Sequence, residues 1–334
     1  MTAEQPHPAL IGAGSWGTAL AIQLAHRYPV QLWGRNPETI NACRAAGANT
    51  HYLPNIPFPT PLHPTAELNT ALQQATDVIL AVPSHAFTAT CARIATHTPA
   101  LTRLSWVTKG LEPDTQQLLS QVAKRYFPQA SLAMLTGPTF AAEVARGLPT
   151  AVTLAAPDAD YRARLAQLLH SEHFRVYPTD DLIGAQLGAS CKNVMAIAAG
   201  IADGLGFGAN ARAALITRGL AEITRLTTAL GGRTETLMGL AGLGDLTLTC
   251  TDDQSRNRRL GLALAQGKTI AQARRETGQA VEGIATTREI YHKAQSVTVE
   301  MPITEQVYQV LYQGMAPRAA VSTLLSRTPE HITG

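Results

Sequence analysis

The sequence predicts a doubly wound α/β domain with a parallel sheet, followed by an all-helical domain. Three observations carry that expectation. Short β-rich runs alternate with helical stretches through the first half, strand signals fade after about Asp181, and long helical patterns with glycine-rich breaks fill the remainder. At roughly 150 residues per domain, 334 residues suit two domains, each able to bury a core. The join falls near Thr179–Gly184, which divides the chain into 1–182 and 183–334.

Taken in order, strands are expected at Ala9–Ile11, Val30–Trp33, Val78–Val82, Leu104–Val107, Leu132–Leu135, Ala151–Leu154 and Phe174–Tyr177, each a short β-rich run. Helical patterns lie between several of them, at Gly17–His26, Ala86–Thr96, Thr115–Arg125 and Ala159–Leu169. From His51 to Pro64 the chain places five of its 20 prolines, which predicts an irregular surface loop. The helices of the second half are expected at Ile183–Asp203, Ala211–Ala229, Arg256–Ala265, Ile270–Gly278, Thr286–Ala294 and Pro302–Leu311. Gly231-Gly232 and Gly239–Gly244 break that run.

Composition narrows the function. With 45% hydrophobic residues and a formal net charge of +3, the chain is neither disordered nor a general nucleic-acid binder, and no dense Lys/Arg block appears. Cys43, Cys91, Cys191 and Cys250 form no C-x-x-C pair and no cluster with zinc spacing. Reduced thiols in a cytosolic enzyme without a metal are therefore expected. The run Ala9–Ala25 is apolar, but no Lys or Arg precedes it and Gly12, Gly14 and Gly17 punctuate it, so no secretory leader is expected. Ile183–Ala202 is long enough to span a bilayer. Lys192 at its centre, near Gln186, Ser190 and Asn193, argues instead for a helix buried inside protein.

Gly12, Gly14 and Gly17 spell G-x-G-x-x-G at the end of the first strand and the start of the first helix. The first glycine permits the tight turn, the second lets backbone approach a pyrophosphate, and the third allows close helix–strand packing. Free N–H groups at the helix start then bind the anion. This context reads as a Rossmann-type dinucleotide site, against a ligand-free glycine turn. Where a strictly NAD-selective site would end its second strand in an acid, the chain reads Trp33-Gly34-Arg35-Asn36. Arg35 offers a fork of donors to a 2′-phosphate, so NADPH is favoured over NADH. A solvated turn arginine is the alternative.

Lys192 stands mid-helix among small and apolar neighbours, and burying an ammonium is costly unless it is paired. A functional lysine is expected, the alternative being one that snorkels out between small neighbours. Lys109 follows a strand at the carboxyl edge of the sheet, where such folds bind ligands. Asp245 closes the glycine-rich run Gly239–Gly244 and presents a single carboxylate. Ser255-Arg256-Asn257-Arg258-Arg259 opens a helix as a phosphate cradle, or else as an ordinary capped, basic first turn.

Together these segments resemble the bacterial NAD(P)-dependent sn-glycerol-3-phosphate dehydrogenase family, from about Ala9 to Arg327. The resemblance runs through Gly12–Gly17, Val107–Leu111, Gly137–Glu143, Lys192-Asn193, Gly239–Asp245, Cys250–Arg259, Glu282-Gly283 and Met301–Glu305. It implies a cytoplasmic homodimer that interconverts sn-glycerol 3-phosphate and dihydroxyacetone phosphate with NADP or NAD, supplying glycerophospholipid synthesis. It also implies that Lys192 is the proton donor or acceptor. Substrate contacts would come from Lys109, Gly137, Thr139, Lys192, Asp245, Ser255, Arg256 and Asn257. Gly12, Gly14, Ser15, Trp16, Gly17, Arg35, Lys109, Ala141, Arg256, Ala280 and Glu282 would hold the dinucleotide. Thr139 stands where the family pattern has Ser, and Ala280 where it has Val. Two rival readings are a ketopantoate-type or hydroxyacid reductase, which would handle a carboxylate, and a dinucleotide-binding sensor that performs no chemistry.

Overall fold

The computed structural model describes residues 5–277 and 281–326. The described residues up to Lys109, with Leu119–Leu182, form one compact unit; Gly110–Leu118 and those from Ile183 onward form the other. Gly110–Leu118 lies in the strand-bearing half of the sequence yet belongs to the helical unit. Leu111 and Leu118 are both part of the helical unit's apolar core.

The first unit holds eight strands: β1 (Pro8–Ile11), β2 (Val30–Trp33), β3 (Leu62–Thr65), β4 (Asp77–Leu80), β5 (Arg103–Trp106), β6 (Ser131–Thr136), β7 (Thr150–Ala155) and β8 (Phe174–Thr179). Their order in the sheet is β3-β2-β1-β4-β5-β6-β7-β8. β1 pairs with β2 on one side and β4 on the other, so the winding reverses there. β1 and β4 are buried along their whole length, as strands of a sheet covered on both faces are. The connecting helices are α1 (Ser15–Ala25), α2 (Pro37–Ala46), α3 (Leu68–Leu72), α4 (Ser84–His97), α5 (Leu119–Tyr126), α6 (Ala141–Ala145) and α7 (Ala159–Leu169).

The sheet departs from the sequence expectation at two points. The proline-rich stretch is not loop to its end, because β3 adds to the sheet edge with Leu32 opposite Pro64. An edge strand tolerates a residue that donates no ladder bond. Also, β6 and β7 pair antiparallel, with Met134 opposite Ala155, in a sheet whose other pairs are all parallel.

The second unit is helical: α8 (Leu182–Gly204), α9 (Gly208–Ala229), α10 (Thr234–Leu237), a π-helical turn (Leu240–Gly244), α11 (Asp245–Thr251), α12 (Arg256–Ala265), α13 (Ile270–Thr277), α14 (Glu282–Ser296), α15 (Pro302–Tyr312) and α16 (Pro317–Leu325). α8 is long and apolar enough to cross a membrane, yet its most apolar window is 94% buried in this protein. It is the core helix of its unit. Small residues let its neighbours approach: a Cβ at Gly200 would collide with the Arg258 carbonyl, and one at Gly261 with the Ile197 carbonyl. α8 and α12 therefore meet main chain to main chain.

Glu222, buried on α9, caps α15. Its carboxylate accepts the Ile303 N–H at 2.6 Å and the Thr304 N–H at 3.3 Å, just past Pro302, which has no N–H to offer. Burial pushes this carboxyl up to about 7, so folding takes up a proton. Its contribution is complete below the ordinary carboxyl range and is lost as pH climbs from there toward 7. At 1.36 kcal/mol per unit, that loss is on the order of 3 kcal/mol. Urea unfolding at pH 5 and pH 8 should show a smaller decline for Glu222→Gln than for the parent; equal declines would exclude this proton.

Candidate active site

The glycine motif is built as a turn between β1 and α1. Gly12 has φ +129°, a conformation that only glycine adopts easily, and its N–H donates to the Trp33 carbonyl at 2.9 Å. A Cβ at Gly17 would strike the Gly12 carbonyl, whereas one at Gly14 would meet nothing within 4 Å. One glycine is thus required by packing, and the other borders open space at a helix start. α1 has no side-chain cap and no acid in its first turn, which leaves Ser15 and Trp16 at a terminus suited to an anion. Buried Asn49, which the sequence reading does not single out, steadies the turn: its Nδ2 donates to the Ala13 carbonyl at 3.0 Å and to Thr18 Oγ1 at 2.8 Å.

Arg35 is exposed just past β2, beside Asn36, which caps α2 by accepting the Glu38 N–H at 2.8 Å. Lys109 and Gly137 follow β5 and β6, so together with Gly12 they share the carboxyl edge of parallel strands. Lys109 is half-buried. Gly137 lies against β7, where a Cβ would come within 3.1 Å of the Val152 Cα. The Thr139 hydroxyl donates to the Gly137 carbonyl at 3.2 Å, and Ala141 opens α6. Trp16 and Ala141 pack on one apolar cluster.

In the second unit, Lys192 is 6% exposed. Its Nζ donates to Asp245 Oδ1 and, at 2.8 Å, to Thr249 Oγ1. The snorkelling alternative fails, because the nitrogen meets a carboxylate and a hydroxyl instead of water. Asp245 arrives through the π-helical turn, an irregularity frequent at functional sites. Gly188 of α8 lets that turn sit close, since a Cβ there would press on the Ala241 carbonyl at 2.5 Å. Thr249, also missed from sequence, lies one helical turn after Asp245 and donates back to the Asp245 carbonyl at 2.6 Å. Its signal was the i, i+4 spacing.

The residues of the run Ser255–Arg259 divide by their contacts. The Ser255 hydroxyl caps α12 by accepting the Arg258 N–H at 3.2 Å. Arg258 is buried and binds the Cys250 carbonyl, Asp253 and Asp203, while the Arg259 guanidinium donates to the Asp253 carbonyl at 2.6 Å. These two arginines hold the fold. Arg256 remains half-buried at the first helical position.

Asn257 is the node of this unit. Its Nδ2 donates to Asn193 Oδ1 at 2.9 Å, and its Oδ1 accepts the Gly283 N–H at 3.0 Å. One carboxamide thereby ties α8 next to Lys192, α12 next to Arg256 and α14 next to Glu282. One of its two amide hydrogens and one lone pair of its oxygen are engaged in this framework. Ala280 lies outside the described residues. Among the described residues all four cysteines are buried free thiols, and burial pushes Cys91 and Cys250 up to about 12.

The chain matches known proteins over most of its length. Residues 8–162 match the family model of the NAD-dependent glycerol-3-phosphate dehydrogenase N-terminus, and residues 181–322 match that of the C-terminus. The glycerol-3-phosphate dehydrogenase (NAD(P)+) of Nitrosococcus oceani is 55% identical over 326 residues, covering 97% of this chain and 95% of that one. The protein of the same description from Thioalkalivibrio sulfidiphilus is 54% identical, covering 97% and 98%. The crystal structure of glycerol-3-phosphate dehydrogenase from Coxiella burnetii has a TM-score of 0.94 at 47% identity, covering 97% of this chain and 99% of that one. The chain belongs to the NAD-dependent glycerol-3-phosphate dehydrogenase family.

Proposed function

We propose that this protein reduces dihydroxyacetone phosphate to sn-glycerol 3-phosphate, and catalyses the reverse, with NAD(P)H, supplying the glycerol backbone of phospholipids. The observation that carries the reading is the Lys192–Asp245–Thr249 cluster, tied through Asn193 and Asn257 to the helix start that bears Arg256. The turn at Gly12, Gly14 and Gly17 fits a dinucleotide, since it joins open space at Gly14 to an uncapped helix N-terminus. When bound, the reduced nicotinamide supplies a hydride to the C2 carbonyl carbon.

This chain's residues do the rest. Lys192 donates a proton to the carbonyl oxygen as negative charge develops there, and accepts it in the reverse direction. Asp245 and Thr249 hold the ammonium in one orientation. Arg256 and the main chain at Asn257 bind the phosphate, which orients C2. Lys109 adds a second cation to polarise the carbonyl, and Gly137, Thr139 and Ser255 complete the substrate contacts. Glu282, Ala141 and Ala280 belong with the dinucleotide. A cytoplasmic homodimer is part of the same proposal, and four buried thiols are in keeping with a reducing compartment.

The direct test is loss of NADPH absorbance on adding dihydroxyacetone phosphate, set beside NADH and beside unphosphorylated dihydroxyacetone. Rapid oxidation with the phosphorylated ketone alone supports the reading. Turnover of a 2-oxo acid instead would favour the carboxylate reductase, and binding without oxidation the sensor. In the same assay Arg35→Ala should lose NADPH affinity by roughly 10-fold, the loss of a charge-assisted bond, and leave NADH unchanged. An unaltered NADPH/NADH ratio would return Arg35 to the solvated turn.

A further inference from the structure

We propose that Ser190 and Glu289 are positioning residues for Lys109, gripping the two peptide groups that follow it. The inference rests on the substrate role given to Lys109 above. Gly110 turns the chain at φ +112°, out of the strand direction and beyond ladder pairing. Its N–H donates to Ser190 Oγ at 3.0 Å, and the next N–H, of Leu111, donates to Glu289 Oε2 at 3.1 Å. Ser190 in turn donates its proton to the Gln186 carbonyl at 2.6 Å, which leaves the hydroxyl oxygen to accept. Two successive main-chain donors are thus held by side chains of two different helices, α8 and α14.

Ser190, Leu111 and Glu289 are all 0% exposed, so neither acceptor touches substrate or solvent. What they control is where the chain leaves Lys109. Ser190 lies two residues before Lys192 on α8, so the helix that bears this lysine also anchors the turn at Gly110. Burial favours the protonated form of Glu289, raising its carboxyl to about 7, and its Oε1 is buried with no hydrogen-bond partner among the described residues. A buried carboxyl kept for a single main-chain bond suits a side chain whose task is to fix the Leu111 peptide.

The test is a double-mutant cycle with Lys109. Ser190→Ala and Glu289→Leu should each lower kcat/KM for dihydroxyacetone phosphate about 10-fold, the scale expected of a misplaced catalytic group, with dinucleotide affinity unchanged. Glu289→Gln keeps an acceptor for Leu111 and should stay near the parent. In a Lys109→Ala background the Ser190→Ala and Glu289→Leu losses should shrink to under about 2-fold, because the group they position is gone. Full losses in that background would overturn the proposal, as would parental activity in both single variants. Amide exchange at Gly110 and Leu111, slow in the parent and faster in Ser190→Ala and Glu289→Leu, reads the grip without activity; fast exchange in the parent would refute it. If the parent itself fails to reduce dihydroxyacetone phosphate, the substrate reading falls and the positioning role with it. Additivity in an active enzyme removes the positioning role alone.

Discussion

Lys192→Ala should lower kcat by about 10²–10⁴-fold, the range supplied by a positioned general acid. The ammonium has no substitute in its cluster, because Asp245 accepts only and the Thr249 hydroxyl already donates to the Asp245 carbonyl. The same change strands Asp245, whose side chain is 1% exposed, without its cation. Removing one member of a buried ion pair costs about 3–5 kcal/mol, so the melting temperature should fall as well. Activity and stability therefore need separating. A Lys192→Met, Asp245→Leu double variant replaces both charges with apolar volume and should recover most of the melting temperature while remaining inactive. Near-native turnover in Lys192→Ala would remove the lysine from proton transfer.

Replacing Arg256 by Ala should raise KM for dihydroxyacetone phosphate about 10- to 100-fold, since a hydrogen bond to a charged group is worth about 1.5–3 kcal/mol. Unphosphorylated dihydroxyacetone, which offers the guanidinium nothing, should show the same weak kcat/KM in both enzymes. The contrast with Arg258 sharpens this expectation. Arg258 is tied to Asp203 at 2.7 Å and to the Cys250 carbonyl at 3.1 Å, so its loss should unfold the start of α12 and harm every substrate alike. Equal loss toward both ketones in Arg256→Ala would refute phosphate anchoring.

Much of this could be read from the chain before any coordinates. Buried parallel strands announce themselves as short apolar runs, and Lys192 stood out because an ammonium among Gly, Ala, Val and Met needs an explanation. Asp245 was visible as the one carboxylate closing a glycine-rich run. Other elements were legible as well: Asn36 as N-cap with Pro37 opening α2, and Gly47 after it, are plain start and stop signals. Long-range partnership was not legible. β3 is a strand because β2 pairs with it, not because of its own residues. Arg256 and Arg258 cannot be told apart in a string of letters, since Asp203, which claims one of them, lies 55 positions away. The carboxamide node at Asn257 and the grip of Glu289 on Leu111 are hidden for the same reason: their partners are 64 and 178 positions distant.

The crossing of α8 with α12 reaches beyond the interior. At Gly200 and Gly261 bare hydrogens stand where methyl groups would fill the gap, and a Cβ at either point would run into opposing main chain. One added carbon would act as a wedge, lifting the opening turn of α12 away from the ammonium. An enzyme so altered would keep every reactive group in its inventory and still hold the wrong ruler to its substrate.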